Sequence, residues 1–252
     1  AYTQASAELF AIARSYSPDV EVSSVDEAYV DLTGLRMLYR SSYQEIAKKM
    51  QAEMWQRVKV PVSIGVSCTK LLAKLAAGAK KPRGLCVVPM KKIGEFLKNI
   101  PIGKVSGVGR NTEALLNKYG LKTAGDLAHQ ELGTIKKILG KRGEELWLEL
   151  NGVIVSPVRN LYEAPQSISR TATFYDYTSD KTSIYAATLE HLLAAFSKLQ
   201  NHRLVVRVMR VELITKGFDV HGVAHIFETP TDSVDGALKG FKEAFLSIFE
   251  HI

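Results

Sequence analysis

The alternation of apolar and polar positions predicts a β-hairpin near the start of the chain. Over residues 20–33, apolar side chains occupy every second position on both sides of the acidic pair Asp26-Glu27. These apolar positions are Val20, Val22, Ala28, Val30 and Leu32. A period of two is typical of strands with one buried face, so the two-residue break is expected to form the turn. The turn would present two adjacent carboxylates to solvent.

Helices and two further strands are predicted around this hairpin. Apolar residues at helical spacing predict helices over residues 1–16, 42–58 and 69–79. Short apolar strands at residues 62–66 and 85–88 lie on either side of the third helix, an order typical of a βαβ unit. Together with the hairpin, these elements predict a mixed sheet with helices packed on it.

From Met90 to residue 160 the pattern changes to short helices. Residues 100–112, with the sequence IPIGKVSGVGRNT, predict a helix-hairpin-helix whose glycines allow close backbone approach. The amides that begin its second helix would bind DNA phosphates without reading base sequence. The candidate contacts are Lys104, Val105, Gly107, Gly109, Arg110 and Thr112. The alternative is a plain corner between two helices that needs glycine only for its turn.

Residues 151–166, which include two prolines, predict a linker to a region of different pattern. The order there is strand, helix, strand, strand and helix, at residues 168–175, 182–199, 203–214, 222–228 and 234–251. Arginines alternate with apolar residues along the second of these strands: Arg203, Leu204, Val206, Arg207 and Val208. One face of the sheet is expected to pack on the helices, while the other either offers cations to a duplex backbone or simply faces solvent.

Composition places the chain among soluble globular proteins of two or three domains. Of its 252 residues, 46% are hydrophobic and 23% are charged, which is ordinary for that class. No apolar run approaches the roughly 18 residues that span a bilayer, and the N-terminal residues do not resemble a signal peptide. Cys68 and Cys86 lack metal-ligand spacing and are expected to be reduced, buried residues of a cytoplasmic protein. The formal net charge of +7 favours a polyanionic partner.

The acidic pair of the hairpin is a candidate metal site. Asp26 and Glu27 carry like charges side by side, which is unfavourable in a half-buried turn unless a cation lies there. Mg²⁺ suits such a pair because it binds one or two protein carboxylates together with substrate phosphates. The alternative is an ordinary acidic turn without a ligand.

A basic cluster occupies the helix at residues 69–79 and its exit. It consists of Lys70, Lys74, Lys80, Lys81 and Arg83. The leucines of this helix are expected to face the core, so the lysines lie on another face, and Pro82 marks the exit. A triphosphate held by Mg²⁺ needs positive donors on its far side, and this surface offers them. The alternative is a solvated helix face.

Four sequence blocks, in this order, resemble the Y-family translesion DNA polymerases. They are SYSPDVEVSSVDEAYVDLTG at 15–34, SIGVSCTKLLAKLAAGAKKPRG at 63–84, IPIGKVSGVGRNT at 100–112 and SISRTATF at 167–174. A single Ser-Val-Asp-Glu is weak evidence, whereas four ordered blocks at family-like spacing are specific. The resemblance covers nearly the whole chain.

The resemblance implies an α+β fold in three parts. Residues 1–89 would be a partial polymerase palm, and residues 90–160 a small all-helical thumb with the helix-hairpin-helix. Residues 161–252 would be a little finger domain of split βαβ type, with the pattern βαββα and one strand to follow. The implied function is template-directed DNA synthesis past damaged bases, on primer-template DNA with dNTPs, in the cytoplasm at the nucleoid. A sliding clamp would bind a tail beyond Ile252.

The resemblance also implies roles for individual residues. Asp26 and Glu27 match the catalytic metal ligands, which in a complete active site hold two Mg²⁺ ions. Lys81 matches a lysine that contacts the incoming triphosphate, and Lys74 and Arg83 are further candidates for that surface. The first strand of the little finger would contact the DNA backbone through Ser167, Ser169, Arg170 and Thr171.

The sequence departs from the family pattern at both ends. The first palm strand, with another metal-binding Asp and the steric-gate residue, would lie upstream of Ala1 together with the fingers. Two-metal transfer needs both ions about 3.5–4 Å apart, so this stretch alone is expected to bind DNA without synthesising it. A natural non-catalytic DNA-binding or recruitment homologue is one alternative. Another palm-like nucleotidyl transferase, such as a cyclase, is a second, against which the helix-hairpin-helix and the little-finger pattern argue.

Overall fold

The structure is a computed structural model that describes residues 2–160 and 164–252. The chain divides into two compact units, residues 1–161 and residues 162–252. Among the described residues, the first unit contains two hydrophobic cores and the second unit contains one. Among the described helices, none combines the length and the apolar character needed to cross a bilayer.

In the first unit, two helices cover one face of the predicted hairpin. The elements in chain order are α1 (Tyr2–Tyr16), β1 (Val20–Val22), β2 (Ala28–Val30), α2 (Leu35–Tyr39) and α3 (Tyr43–Val58). β1 and β2 are antiparallel, and their apolar face packs on a core with α1 and α3. The buried members of this core are Ile12, Ala13, Val20, Met50 and Met54. The hairpin and both helices are confirmed, and Glu21 pairs with Tyr29 on the opposite face.

The turn of this hairpin is longer than the alternation predicts. Five residues, 23–27, separate the two strands, and we call them the acidic loop. The backbone N–H groups of Ser23 and Ser24 both donate to the carbonyl oxygen of Glu27, at 2.9 and 3.2 Å. These bonds join Ser23 and Ser24 to Glu27, so the turn extends over five residues. The prediction of a two-residue turn at Asp26-Glu27 is therefore wrong.

The predicted βαβ unit forms, and its two strands are parallel. It consists of β3 (Ile64–Val66), α4 (Lys70–Ala79) and β4 (Leu85–Val87). Gly65 lets α4 lie directly on β3, since a Cβ atom at this position would be 2.0 Å from the carbonyl oxygen of Ala73. The absence of a side chain at one strand position therefore determines how closely the lysine-bearing helix approaches the strands.

The hairpin and the βαβ unit form separate sheets in the described part of the chain. β1 pairs with β2 and β3 with β4, in two two-stranded sheets, so the prediction of one mixed sheet is wrong. Val62 and Ile64 instead pack against the core beneath the hairpin. Each of these strands has three residues, and side-chain packing rather than a backbone ladder joins the two pieces.

Helices complete the first unit, and all of them are short, as predicted, except the last, which has 19 residues. They are α5 (Ile93–Leu97), α6 (Arg110–Lys118), α7 (Ala124–His129) and α8 (Leu132–Leu150), with 3₁₀ turns at Met90–Lys92 and Ile102–Lys104. Leu72 and Leu75 of α4 share one core with these helices, so the βαβ unit and the helical segment are packed together. α8 bends at Gly140, whose φ of 66° is not helical.

The second unit packs a two-stranded hairpin with two helices. Its elements are α9 (Lys181–Asn201), β5 (Val206–Ile214), β6 (Val220–Thr231) and α10 (Val234–Phe249). β5 and β6 are antiparallel, and Met209 and Val211 of β5 are buried in one core with Phe241 of α10. These four predicted elements are confirmed.

The strand predicted at residues 168–175 is wrong, because the structure has no strand between residues 164 and 180. A strand requires a ladder of backbone hydrogen bonds to a neighbour, and within the described residues this segment has none. Ile168 still packs against the core of the second unit. The observed order is αββα in place of the predicted βαββα.

The predicted alternation along β5 is also wrong in part. Arg203 precedes the strand, in a turn where its φ is 54°. The pairing with β6 is irregular between Val206 and Val208, and Val208 is 53% exposed although it was expected to face the helices. Arg207 is exposed on the strand, as predicted. The irregularity shifts the buried positions, because Met209 and Val211 are buried after it.

Candidate active site

Asp26 is the fourth of the five residues of the acidic loop, and it is exposed. The hydroxyl of Ser24 donates a hydrogen bond to this carboxylate, and the Asp26 N–H donates back to the Ser24 hydroxyl at 3.3 Å. The loop therefore orients the Asp26 carboxylate locally and leaves it accessible to a ligand.

Glu27, at the foot of β2, is paired with a lysine of α4. Its Oε2 atom lies 2.8 Å from the Nζ atom of Lys74, and the two side chains are 41% and 38% exposed. The hydrogen bond to Glu27 raises the pKa of Lys74 above its ordinary value; burial opposes this rise, and the charge of Asp26 adds to it. The cation that the acidic pair needs is supplied here by α4.

A second lysine, one turn earlier on α4, is paired with the first strand of the hairpin. The Nζ atom of Lys70 lies 2.8 and 2.9 Å from the two carboxylate oxygens of Glu21 and 5.4 Å from the centroid of the Tyr29 ring. The backbone N–H of Arg159 donates to Glu21 at 2.9 Å. Burial acts to raise the pKa of Glu21, but the hydrogen bonds from Lys70 and Arg159 outweigh it and lower that pKa. Burial raises the pKa of Tyr29.

The start of α4 is bonded to the end of α8. The hydroxyl of Thr69 accepts from the N–H of Leu72 at 3.2 Å and donates to the carbonyl oxygen of Glu149 at 3.1 Å. The buried carboxylate of Glu149 accepts from the N–H groups of Leu71 and Ser156, at 3.3 and 2.9 Å. These bonds set the position of the helix that carries Lys70 and Lys74. Sequence reasoning missed Glu149, because its partners Leu71 and Ser156 lie outside α8 and no pattern within α8 indicates its burial.

The acidic loop fits a divalent metal ion only as part of a ligand set. Asp26 and Glu27 supply hard carboxylate oxygens, which suit Mg²⁺ when phosphates and water complete the coordination. Within residues 2–160 and 164–252, no group of three or more His, Cys, Asp or Glu side chains could hold a metal ion. The donor chemistry therefore fits Mg²⁺ at these two residues, with the remaining ligands supplied from elsewhere.

The three predicted nucleotide contacts have different surroundings. Lys74 joins α4 to the acidic loop, and Lys81 is exposed immediately before Pro82. The guanidinium of Arg83 lies 4.1 Å from the centroid of the Trp55 ring of α3, which is a cation–π contact. The structure thus shows contact with the acidic loop for Lys74, whereas Arg83 is directed to α3.

Residues 105–109, which we call the glycine loop, combine buried side chains with an exposed backbone. Val105 and Val108 are buried in the core of the first unit, while Ser106, Gly107 and Gly109 are exposed. Gly107 has a φ of 95°, which favours glycine. α6 begins directly after the loop, and its first residue Arg110 is exposed, as is Lys104 on the other side; Thr112 lies in the first turn of α6.

One cleft of about 380 Å³ connects the outer face of the hairpin with the glycine loop. Its lining includes Tyr29, Lys70, Ser106, Gly107, Arg142 and Glu149. The guanidinium of Arg142 lies 3.5 Å from the position that a Cβ atom of Gly107 would occupy. Arg142 was not predicted, since nothing in the sequence indicates that α8 returns to the glycine loop.

The predicted DNA contacts of the second unit are all exposed. Ser167, Ser169, Arg170 and Thr171 lie in the segment without a strand, and Arg203 and Arg207 lie before and within β5. The four residues of this segment were expected to lie on a sheet edge. The structure does not place them on one.

Comparisons with known proteins agree with this architecture. The model of the impB/mucB/samB family matches residues 1–78, and that of its C-terminal domain matches residues 165–252. DNA polymerase IV of Exiguobacterium sibiricum is 32% identical over 248 residues, which cover 98% of this chain and 68% of the relative. DNA polymerase IV 1 of Bacillus subtilis is 34% identical, over 79% of this chain and 46% of the relative.

The solved structure of a Y-family DNA polymerase chimera has the same fold. It superposes with a TM-score of 0.83 at 24% sequence identity, over 99% of this chain and 71% of the chimera. The four sequence blocks, the two family models and the 32% identical relative therefore agree, and the resemblance is confirmed. The chain belongs to the impB/mucB/samB family, that is, to the Y-family DNA polymerases.

Proposed function

We propose that the complete protein synthesises DNA on primer-template substrates from dNTPs, past damaged template bases, in the cytoplasm at the nucleoid. The observation that carries this proposal is the cleft lined by Tyr29 of the hairpin, Lys70 of α4 and the glycine loop. Relatives named DNA polymerase IV support it. A reaction of this kind needs carboxylates that bind metal, cations that bind phosphate, and backbone amides that contact the duplex. The first unit contains all three.

In this proposal Asp26 and Glu27 would hold Mg²⁺. Bound Mg²⁺ neutralises the phosphates and activates the primer 3′-hydroxyl. Lys81 neutralises the triphosphate of the incoming nucleotide, and Lys74 and Arg83 are secondary contacts. Two ions about 3.5–4 Å apart need more carboxylates than these two, so we expect residues 1–252 alone to bind DNA without extending a primer.

Three functional parts follow from this assignment. Residues 1–89 act as part of the palm and residues 90–160 as the thumb, whose helix-hairpin-helix is the glycine loop with its flanking helices. The backbone of Val105, Gly107 and Gly109 would contact phosphates with Lys104, Arg110 and Thr112. Arg142 adds a cation beside Gly107. Such contacts are independent of base sequence and sensitive to salt.

Residues 161–252 act as the little finger, which also contacts the DNA backbone. The exposed Ser167, Ser169, Arg170 and Thr171, together with Arg203 and Arg207, are its proposed contacts to the DNA backbone. Their exposure supports this assignment, since charged side chains on a polar surface attract a polyanion without a specific pocket.

The test of the proposed function is primer extension by the full-length protein with Asp26 replaced by asparagine. Extension is expected to fall at least about 100-fold, because a metal ligand is lost, while duplex affinity stays within about twofold. The matched control is Asp19→Asn, which removes an equal charge from an exposed position before the same hairpin. Extension that persists in the Asp26 variant would refute the polymerase assignment of this site.

A non-catalytic DNA-binding function is the second candidate for residues 1–252. One observation favours it: the net charge of +7, which suits a polyanionic partner. Binding of a duplex by this chain should fall steeply with salt and show no base preference. Insensitivity to salt would mean that the basic surfaces at 70–83 and 104–110 are not the contact.

A further inference from the structure

The two lysines of α4 hold the two carboxylates of the hairpin in unequal ways. Lys70 binds both oxygens of Glu21, and these side chains are 16% and 26% exposed. Lys74 binds one oxygen of Glu27, and these side chains are 38% and 41% exposed. The Glu21 carboxylate also accepts the backbone N–H of Arg159. In the part of the chain that the structure describes, the Glu27 carboxylate has no such backbone donor. The first pair is thus built into the scaffold, and the second is open to solvent.

We propose that Lys74 is a built-in counter-ion of the acidic loop, which a divalent cation displaces from Glu27, so that Lys74 sets the metal affinity of the Asp26–Glu27 pair. This inference rests on the proposed metal site. It goes beyond that proposal because it assigns to Lys74 a function before any nucleotide is bound.

The geometry makes the two cations competitors for one carboxylate. The ammonium of Lys74 is 2.8 Å from Glu27 Oε2, and Mg²⁺ binds carboxylate oxygens at about 2.0–2.1 Å. An ammonium left at its present distance would repel the ion, since like charges at a few ångströms disfavour each other. Loss of the lysine charge therefore removes a competitor and a repulsion together, and both changes favour the metal ion.

The same arrangement keeps the acidic loop formed without metal. Asp26 and Glu27 are adjacent like charges, and Lys74 compensates the second of them. α4 itself does not have to move when the ion pair opens, because Leu71, Leu72, Leu75 and Ala76 hold it in the core. The released ammonium stays on its flexible stem beside the loop, on the side of the helix where phosphates of a bound nucleotide are proposed to lie.

The experiment measures binding of Mn²⁺ to the full-length protein, which supplies the remaining ligands, by the electron paramagnetic resonance signal of free Mn²⁺, with Mg²⁺ as competitor. Lys74→Met is expected to tighten Mn²⁺ binding about threefold to tenfold. This is the combined effect expected from losing an exposed ion pair that competes with the metal and a screened repulsion of the metal. Lys74→Arg keeps the charge and is expected to bind Mn²⁺ as the unchanged protein does, within about twofold. Lys70→Met is the matched control, four residues away on the same helix, and should also stay within about twofold because its partner is Glu21.

Glu27→Gln separates this inference from the proposed metal site. If Glu27→Gln abolishes Mn²⁺ binding and Lys74→Met leaves it unchanged or weaker, the counter-ion function is overturned and the metal site stands. If Mn²⁺ binding is absent, or is unaffected by Glu27→Gln, the metal site itself is refuted. Tightening in Lys70→Met equal to that in Lys74→Met would overturn the counter-ion function too, because net charge alone would explain it. The thermal unfolding midpoint of each lysine variant is measured as well. Binding is compared only between variants whose midpoints agree, so that a folding defect is not taken for altered binding.

Discussion

The two units hold their candidate functional residues by different means. In the first unit, Glu27 is tied to Lys74, and α4 is tied through Gly65 to β3 and through Glu149 to α8. In the second unit, Arg207 and the segment at residues 167–171 are exposed, and Ile168 is the side chain of that segment that packs on the core. Close contacts therefore hold the candidate site residues of the first unit in position. The proposed DNA contacts of the second unit are simply exposed at its surface.

This difference matches the two kinds of chemistry proposed for the units. A metal site requires ligands within a few tenths of an ångström of their bonding positions. Attraction of a polyanion acts over about 8–10 Å at moderate salt and tolerates mobile side chains. Four substitutions, described in order of decreasing expected effect, can break or sharpen the comparison.

The largest effect is expected for Gly65→Ala. Its Cβ atom would meet the backbone of α4 at 2.0 Å, so the helix must shift, and the first unit should lose about 2–3 kcal/mol of unfolding free energy. Urea unfolding followed by tryptophan fluorescence measures this unit alone, because Trp55 and Trp147 both lie in it. The control is Gly78→Ala on α4, where open space surrounds the new methyl group and a gain of about 0.5–1 kcal/mol is expected. Equal stability of both variants would contradict the close approach.

A smaller loss is expected for Glu149→Gln. The amide has one acceptor oxygen in place of two, so the N–H of Leu71 or of Ser156 loses its partner, and the first unit should lose about 1–2 kcal/mol. Hydrogen exchange at these two amides should become faster in the same variant. Glu145→Gln, on the exposed side of the same helix, is the control and should leave both amides unchanged. Slow exchange in the Glu149 variant would show that the tie between α4 and α8 lies elsewhere.

A pH-dependent effect is expected for Glu21→Gln. The pKa of Glu21 is lowered from 4.5 in the folded chain, so its charge stabilises the fold above pH 4.5, and this contribution is lost as the pH falls through the lowered value. The variant should be less stable by about 1 kcal/mol at pH 7 and should approach the unchanged protein in the acid range. Glu8→Gln, at a more exposed pair with Arg57, is the control. A difference that stays constant with pH would exclude the charged pair as its cause.

The smallest effect on stability is expected for Arg207→Ala in the second unit, less than about 0.5 kcal/mol. Duplex binding, measured by fluorescence anisotropy at several salt concentrations, should weaken, with the slope of log affinity against log salt reduced by about 1. Arg210→Ala is the control, since Arg210 is already paired with Glu212, and its slope should change less. Equal changes in both variants, or none at Arg207, would remove β5 from the proposed DNA surface.

Sequence alone predicted the helices well and the contacts between them poorly. α1, α3, α4 and α10 follow from local periodicity, which a single segment displays by itself. The strand expected at residues 168–175 failed because a strand depends on a neighbour that local pattern does not reveal. The acidic loop is longer than predicted because the N–H groups of Ser23 and Ser24 both bond to the carbonyl oxygen of Glu27, and the local pattern does not reveal these bonds.

The candidate site was predicted residue by residue but not as a network. Asp26, Glu27 and Lys74 follow from motif and charge, and the structure adds that Lys74 binds Glu27 directly. Glu149 and Arg142 were out of reach because each acts on a segment distant along the chain. Burial of Glu149 and the return of α8 to Gly107 are properties of the folded unit, and no pattern within α8 indicates them.

The exposed backbone of the glycine loop limits which substitutions can alter its proposed affinity for DNA. Val105 and Val108 point into the core, so what the loop offers to the outside is largely peptide groups, which every amino acid possesses. Replacement of Ser106 by another small residue leaves that surface chemically the same. Changes in the strength of phosphate binding are then expected at the charged residues beside the loop, which are Lys104, Arg110 and Arg142.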